Sequence, residues 1–273
     1  MALEIENRKL SDWVNSLLAK GKNAFSLTEV KKEFPNLSDT AIKRSLNRLS
    51  VKGNIVSILK GYYLIIPPQY ASRGILPPVL FIDSLMKFLQ RPYYVGLLNA
   101  ASFYGAAHQQ PQEFYVFTTL PALLTTKRKG IKINYISKKE IPQNLLEKRK
   151  TESGYINISS AELTASDLVQ FEKRIGGLDR AATVLNELAE AIKPEQINEA
   201  FVKQIPVKTL QRLGYLFEKA CAKDRISTRL YEQTQKAGLK FFRTPLRLNT
   251  ASNDFPTDAK WKVIINTEIE IDE

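Results

Sequence analysis

The 273-residue chain has one cysteine, one histidine and two methionines, and these shortages exclude more than the abundant residues suggest. Cys221 alone cannot form an internal disulfide, so a reducing cytoplasm is the expected compartment. With only His108 beside that cysteine, almost nothing is left for a zinc site or a histidine-based catalytic dyad. No run approaches the ~18 apolar residues of a membrane span, and the start, MALEIENRKLSDW, lacks a signal-peptide core, so no membrane partner is expected. Gly-Lys-Ser/Thr, Gly-x-Ser-x-Gly, His-Glu-x-x-His and Cys-x-x-Cys are all missing, which removes the common phosphate loops, nucleophile elbows and metal helices. The candidate carboxylates for a catalytic cation, Asp179, Asp224 and the tail acids, form no convincing pair. The expectation is a protein without catalytic residues, metal or cofactor.

What is plentiful is positive charge. Forty lysines and arginines face 28 acids, a net charge of +12, while 44% hydrophobic and 25% charged residues are ordinary for a folded domain. Such a surface attracts polyanions, nucleic acid first. The length is enough for two or three small domains with real cores.

Residues 1–66 predict a helical unit closed by a hairpin. Leu10, Trp13, Val14, Leu17 and Leu18 form one helix face, ended at Gly21. Ala24-Phe25 is a short extended piece. Ser26 with Glu29 three residues on is a capping box for a second helix to about Phe34. Ser38-Asp39 caps a third, running to about Lys52. Ile42, Leu46 and Leu49 make its apolar side, whereas Thr40, Lys43, Arg44, Asn47 and Arg48 make a cationic and amide-bearing side. Such side chains reach phosphates and base edges, and a serine at the helix start, Ser38, can hold a phosphate. Two extended runs, Ile55 to Leu59 and Tyr62 to Ile66, are joined by Lys60-Gly61, a tight hairpin signal. The order is that of a winged helix-turn-helix, whose third helix enters the major groove while the wing tip, here Lys60, touches the backbone. This segment holds 11 basic and 6 acidic residues.

Pro67-Pro68 and Pro77-Pro78 bracket a stretch without periodicity, read as a stiff linker over 67–78. A larger mixed α/β domain, 79–273, follows. Its strand-containing part spans 79–158, with helices from Val79 and from about Tyr94 to Ala106. Strands are predicted at Phe114 to Thr118, Ile131 to Ser137 and Gly154 to Ile158. The clusters Lys127-Arg128-Lys129, Lys138-Lys139 and Lys148-Arg149-Lys150 fall on loops, as solvated surface or as an extended basic footprint. Residues 159–250 read as mainly helical, with Cys221 as a small core residue. A terminal strand over 261–271 ends the chain in alternating Glu and Ile. The fold class is therefore α/β of the α+β kind: a winged helix, then a mixed domain with a helical C-terminal part.

Several segments resemble AbiEi-family antitoxins of type IV toxin–antitoxin, or abortive infection, systems. They are the wing exit GYYLIIPP, PYYVGLLNAASFYGAAHQQPQEFYVFT, SSAELTASDLV with GGLDRAATVLNEL, and the closing NDFPTDAKWKVIIN. The resemblance implies a phage-defence autorepressor, its winged helix on promoter repeats as double-stranded operator DNA. It also implies a C-terminal domain that counters a nucleotidyltransferase-like toxin, self-association on DNA, and no catalysis. By position, DNA contact falls on Ser38, Thr40, Lys43, Arg44, Asn47, Arg48 and Lys60, and Tyr93, Tyr94 and Ser102 are the antitoxin-domain candidates. The residues alone leave two other readings open: a winged-helix protein-interaction module, or a non-catalytic nucleotidyltransferase-like protein binding an acidic partner or RNA.

Overall fold

The computed structural model describes residues 9–107, 111–251 and 253–271. His108 and the last two tail acids, Asp272 and Glu273, lie outside the described residues. The chain is a mixed α/β protein in two compact units: Met1–Tyr94 with Gln112–Ile141 and Lys148–Asn157, and Val95–Pro111 with Pro142–Glu147 and Ile158–Glu273.

The first unit begins with α1 (Leu10–Ala19), β1 (Ala24–Ser26), α2 (Leu27–Glu33), α3 (Asp39–Val51), β2 (Ile55–Leu59) and β3 (Tyr62–Ile65). The apolar faces read for α1 and α3 enter one core: Trp13, Val14, Leu17, Ile42, Leu46 and Leu49 are buried there with Phe25, Val30, Ile55 and Ile65, and Leu18 packs against it partly buried. Trp13 meets Phe25 edge-on at 5.3 Å and Phe34 at 6.0 Å, the geometry that aromatic quadrupoles favour. The capping box at the start of α2 is complete, with Ser26 Oγ accepting from the Glu29 N–H and the Glu29 carboxylate accepting from the Ser26 N–H. The three strands form an antiparallel sheet in the order β1-β3-β2, which leaves β2 on its edge.

The stretch 67–78, expected as a spacer, carries a 3-10 turn at Pro68–Tyr70 and buries Ile75 and Leu76. It leads to α4 (Ile82–Phe88) and β4 (Tyr93–Val95). After them come β5 (Phe114–Thr119), β6 (Thr126–Arg128), β7 (Ile131–Lys138), β8 (Leu146–Thr151) and β9 (Gly154–Ser159). Their sheet runs β6-β7-β5-β4-β9-β8, with β5 parallel to β7 and β6 antiparallel to it. The ends of β4, β8 and β9 count with the second unit.

Three expectations need correcting here. Tyr93–Val95 is a strand where a helix from Tyr94 was expected, because a short apolar run fits a buried strand as well as a helix. Stacking of Tyr94 on Phe117 at 4.6 Å favours the strand. Next, the basic clusters are not confined to loops: Lys127 and Arg128 lie on β6, Lys138 ends β7, and Lys148 to Lys150 lie on β8. Charged strands with one exposed side lack the apolar alternation that marks a strand in sequence. Third, the terminal strand over 261–271 shrinks to Val263–Ile264. Beyond it the Glu-Ile alternation has a hydrogen-bond partner in Asp179, whose Oδ1 accepts from the Glu270 N–H at 3.3 Å, but no ladder.

The second unit is helical: α5 (Leu97–Ala101), α6 (Ala161–Gln170), α7 (Leu178–Leu188), α8 (Glu199–Gln204), α9 (Val207–Tyr215) and α10 (Asp224–Lys236). Two short parallel strands, β10 (Thr244–Pro245) and β11 (Val263–Ile264), complete it. Side-chain caps open α6 and α8, from Ser160 and Asn198 respectively. Seven consecutive residues of α9, Thr209 to Tyr215, are buried, Gln211 and Arg212 among them. Gln211 donates to the carbonyls of Phe242 and Trp261, both at 2.7 Å. Arg212 donates to the carbonyls of Leu246 and Val169 and, at 2.8 Å, to the Glu172 carboxylate. A π-helical turn, Leu216–Ala220, extends α9 and carries Glu218, which accepts from Lys260, Lys219 and the Trp261 indole.

Trp261 is fully buried against α9, and only glycine fits beneath it: a Cβ on Gly214 would lie 2.1 Å from the indole. Gly214→Ala therefore overpacks the unit and is expected to cost about 1–3 kcal/mol, read as a lower midpoint in chemical denaturation. An unchanged midpoint would contradict this packing. Burial pushes the Glu218 carboxyl up, but the donors Lys260, Lys219 and Trp261 outweigh it and bring it down to about 2. Its contribution is thus present above the ordinary glutamate range, ~4.3, and fades as pH falls toward 2. The stability gap between wild type and Glu218→Gln should be constant above pH ~5.5 and close on acidification. Urea titrations from pH 7 to pH 3 check it, and a gap that ignores pH would refute the arrangement.

Candidate nucleic-acid interface

The turn Phe34-Pro35-Asn36-Leu37 separates α2 from α3, and Ser38 opens α3 as its cap, Oγ accepting from the Ala41 N–H at 3.2 Å. That bond occupies one lone pair of a hydroxyl that is itself exposed. Asp39 pairs with Lys31 at 2.8 Å, fastening the start of α3 to α2. The Lys31 hydrogen bond and charge, with a smaller contribution from Lys43, hold the Asp39 carboxyl below its ordinary range.

Packing divides α3 as the sequence predicts. Ile42, Leu46 and Leu49 are 1%, 3% and 7% exposed. Thr40, Lys43, Arg44, Asn47 and Arg48 are all exposed. Their spacing puts Thr40, Lys43, Arg44 and Asn47 on adjoining turns of one face, with Arg48 beside them. Among the described residues neither Arg44 nor Arg48 pairs with a carboxylate. Two guanidiniums with ten N–H donors between them are thus left for an external acceptor.

The hairpin β2–β3 turns at Lys60-Gly61, where Gly61 takes φ +79°, a conformation costly for other residues. Pairing runs Ile55↔Ile65, Val56↔Leu64 and Ser57↔Tyr63, then slips by one before Leu59↔Tyr62. The Gly61 carbonyl accepts from the Leu27 N–H at 2.8 Å, tying the turn to the start of α2. Lys60 is exposed at the tip. At the base, the Tyr62 hydroxyl lies 2.6 Å from Ser84 Oγ and its ring packs on Phe88 of α4, and burial raises the phenol above its ordinary range.

The antitoxin-domain candidates are placed differently. Tyr93 is buried, donating to Asp83 Oδ1 at 3.1 Å and accepting from the Asn157 N–H at 3.4 Å, and burial raises its phenol. Tyr94 is fully buried on Phe117, with the Lys138 ammonium 5.4 Å from its ring centroid. Both side chains hold the sheet together and neither presents a surface. Ser102 is exposed and donates to the Asn99 carbonyl at 2.9 Å.

Cys221 is buried with its thiol pushed up to about 11, chiefly by burial, which suits a packing residue. Among the described residues, no three His, Cys, Asp or Glu are placed to share a metal ion, and no helix is long and apolar enough to cross a membrane.

The sequence reading missed the hairpin β6–β7, which carries Lys127, Arg128 and Lys129. The signal was present: Thr125-Thr126 is β-branched, Lys129-Gly130 is a two-residue turn, and Ile131 opens the returning strand.

Comparison with known proteins agrees with this architecture. The crystal structure of the RV2827C protein from Mycobacterium tuberculosis is similar over 93% of this chain and 90% of its own, with a TM-score of 0.67 at 15% identity, a likeness of fold. No curated protein sequence matches the chain. Residues 94–219 match the AbiEi antitoxin C-terminal domain, the family that the sequence segments resemble.

Proposed function

We propose that the chain is the autorepressor and antitoxin of a type IV toxin–antitoxin operon, acting in the cytoplasm. Residues 1–66 are taken as a winged helix-turn-helix that binds promoter repeats, and 79–273 as the part that counters a nucleotidyltransferase-like toxin without catalysis or cofactor. The observation that carries the DNA-binding half is the exposed face of α3, where Arg44 and Arg48 stand beside Lys43 and Asn47 without a carboxylate partner among the described residues. A solvated helix of no function gains from offsetting its cations with acids at i±4, and this face has none beyond Asp39 at its start. The order helix, strand, helix, helix and hairpin supports the same reading, because it sets a basic helix and a hairpin with a lysine tip on one small core. The AbiEi domain supports the antitoxin half. Two copies on a palindromic operator would place equivalent α3 helices in successive major grooves.

Fluorescence anisotropy on the protein's own upstream DNA and on scrambled DNA, across a salt series, tests the proposal. Wild type should prefer the upstream sequence by about a thousandfold or more. Arg44→Ala and Arg48→Ala should each lose about 1–3 kcal/mol on upstream DNA and much less on scrambled DNA. Lys60→Ala should weaken both alike and reduce the salt slope by about 0.9, one phosphate contact. Equal wild-type affinity for the two DNAs would overturn the reading.

A further inference from the structure

The hairpin β6–β7 keeps its positive charge at a local cost. Lys127 stands directly opposite Lys132 in the antiparallel register, and like charges in that position repel. Glu113 neutralises one of the two: Lys132 Nζ lies 2.5 Å from its carboxylate, which that contact holds below its ordinary range. Lys127 has no such partner among the described residues, and neither have Arg128 and Lys129. The turn adds a second cost. Lys129 takes φ +42° and Gly130 φ +83°, the paired left-handed conformation of a two-residue hairpin. Asn or Gly suits the first of those positions, and lysine is an uneasy choice.

The placement of this hairpin gives the charge a use. The Arg128 guanidinium donates from Nε to the Ser57 carbonyl at 3.1 Å, and Ser57 lies on β2, the edge strand of the hairpin tipped by Lys60. That bond covers an edge that would otherwise be open to pairing. It also places the second basic turn beside the first strand of the wing, three residues, or about 10 Å of strand, before Lys60. The Lys129 ammonium lies 2.9 Å from where a Cβ on Gly74 would stand, so it sits against the backbone next to Arg73. Lys60, Arg73, Lys127, Arg128 and Lys129 are all exposed, and no carboxylate among the described residues pairs with any of them.

We infer that β6–β7 is a second wing: Lys127 and Lys129 contact the phosphates of double-stranded DNA beyond those reached by Lys60, while Arg128 locks the hairpin against β2. The inference rests on the DNA-binding proposal above and adds a site to it. Phosphate contacts of this kind lengthen the footprint and steepen the salt dependence without reading sequence.

The test is a double variant, Lys127→Gln with Lys129→Asn, in the full-length protein. Asn suits the positive φ and Arg128 is kept, so the hairpin is retained, and an unchanged thermal midpoint verifies that. A control, Lys148→Gln with Lys150→Gln, removes the same charge from β8 at the opposite edge of the sheet. Anisotropy should show the double variant weakened by the same factor on upstream and scrambled DNA, with the salt slope lower by about 1.8, and hydroxyl-radical footprints should lose protection at one flank. The control should leave slope and footprint as in wild type. A double variant that binds and protects DNA like wild type overturns the second wing while leaving the DNA-binding proposal standing. A control with the same loss of slope also overturns it, since net charge would then be the cause. If wild type shows no preference for upstream DNA, the autorepressor reading falls, and the slope of the double variant still decides whether the hairpin touches DNA.

Discussion

The second unit is organised around a charge that water cannot reach. Arg212 is 1% exposed, and a guanidinium in that position is tolerable only if its donors are met. Its Nε, Nη1 and Nη2 reach the Leu246 carbonyl, the Val169 carbonyl and the Glu172 carboxylate, three points at 2.8 to 3.0 Å that are distant in sequence. One side chain of α9 thereby fixes the end of α6, the turn that follows it and the C-terminal segment. Gln211 adds the carbonyls of Phe242 and Trp261, and Gly214 leaves the space that the indole fills. Three nearly consecutive residues decide where the last thirty residues lie. They do so with hydrogen bonds and fit, because that segment has little regular structure of its own.

The first unit follows a different rule. Its helical part is closed by apolar packing, with Trp13 and Phe25 buried in the core and Phe34 packed against it, and its polar bonds are local caps. No buried ion pair is needed there, so its cations stay at the surface. On α3 this leaves arginines without a carboxylate partner among the described residues; on β6–β7 it leaves a lysine in a strained turn and another facing a like charge.

How much of this is legible in the sequence depends on the range of the interaction. The start of the chain is read almost residue by residue: the capping box at Ser26, the cap at Ser38, the hairpin at Lys60-Gly61 and the two faces of α3 are all local, and the structure has each of them. Periodicity also finds β5, β7 and β9, whose side chains are apolar or β-branched. It fails where a strand is polar, as in β6 and β8, and where an apolar run is too short to show a period, as at Tyr93–Val95. Arg212 and Gln211 give no sign in the sequence at all. Within an amphipathic helix they read as its wet side, and only a segment returning thirty residues later makes them interior. The burial of Tyr93 and Tyr94 is hidden for the same reason. A tyrosine pair beside small residues is as good a surface as a core until Phe117, Asp83 and Asn157 are brought to it.

The contrast between the two units bears on function through the handling of charge. A protein of net charge +12 must put its excess somewhere, and where the unpaired cations gather decides what that charge can do. In the second unit the cations that matter to the fold are matched: Arg212 to Glu172, Lys260 and Lys219 to Glu218, Lys203 to Glu199, Arg247 to Asp179. In the first, carboxylates meet Lys31, Lys87 and Lys132, yet among the described residues Arg44 and Arg48 on α3, Lys60 at the tip of the β2–β3 hairpin and the three cations of β6–β7 go without. In the first unit acids meet a cation at the start of α3 and a lysine of the sheet, and among the described residues they are absent along one helix face and two neighbouring turns. Withholding costs little in water and becomes favourable only when a polyanion displaces that water, since each phosphate neutralised releases condensed counterions. Apart from Ser38, which also caps α3, the residues proposed to bind DNA stand outside the apolar core of the first unit, and charge can be altered there without unfolding the protein.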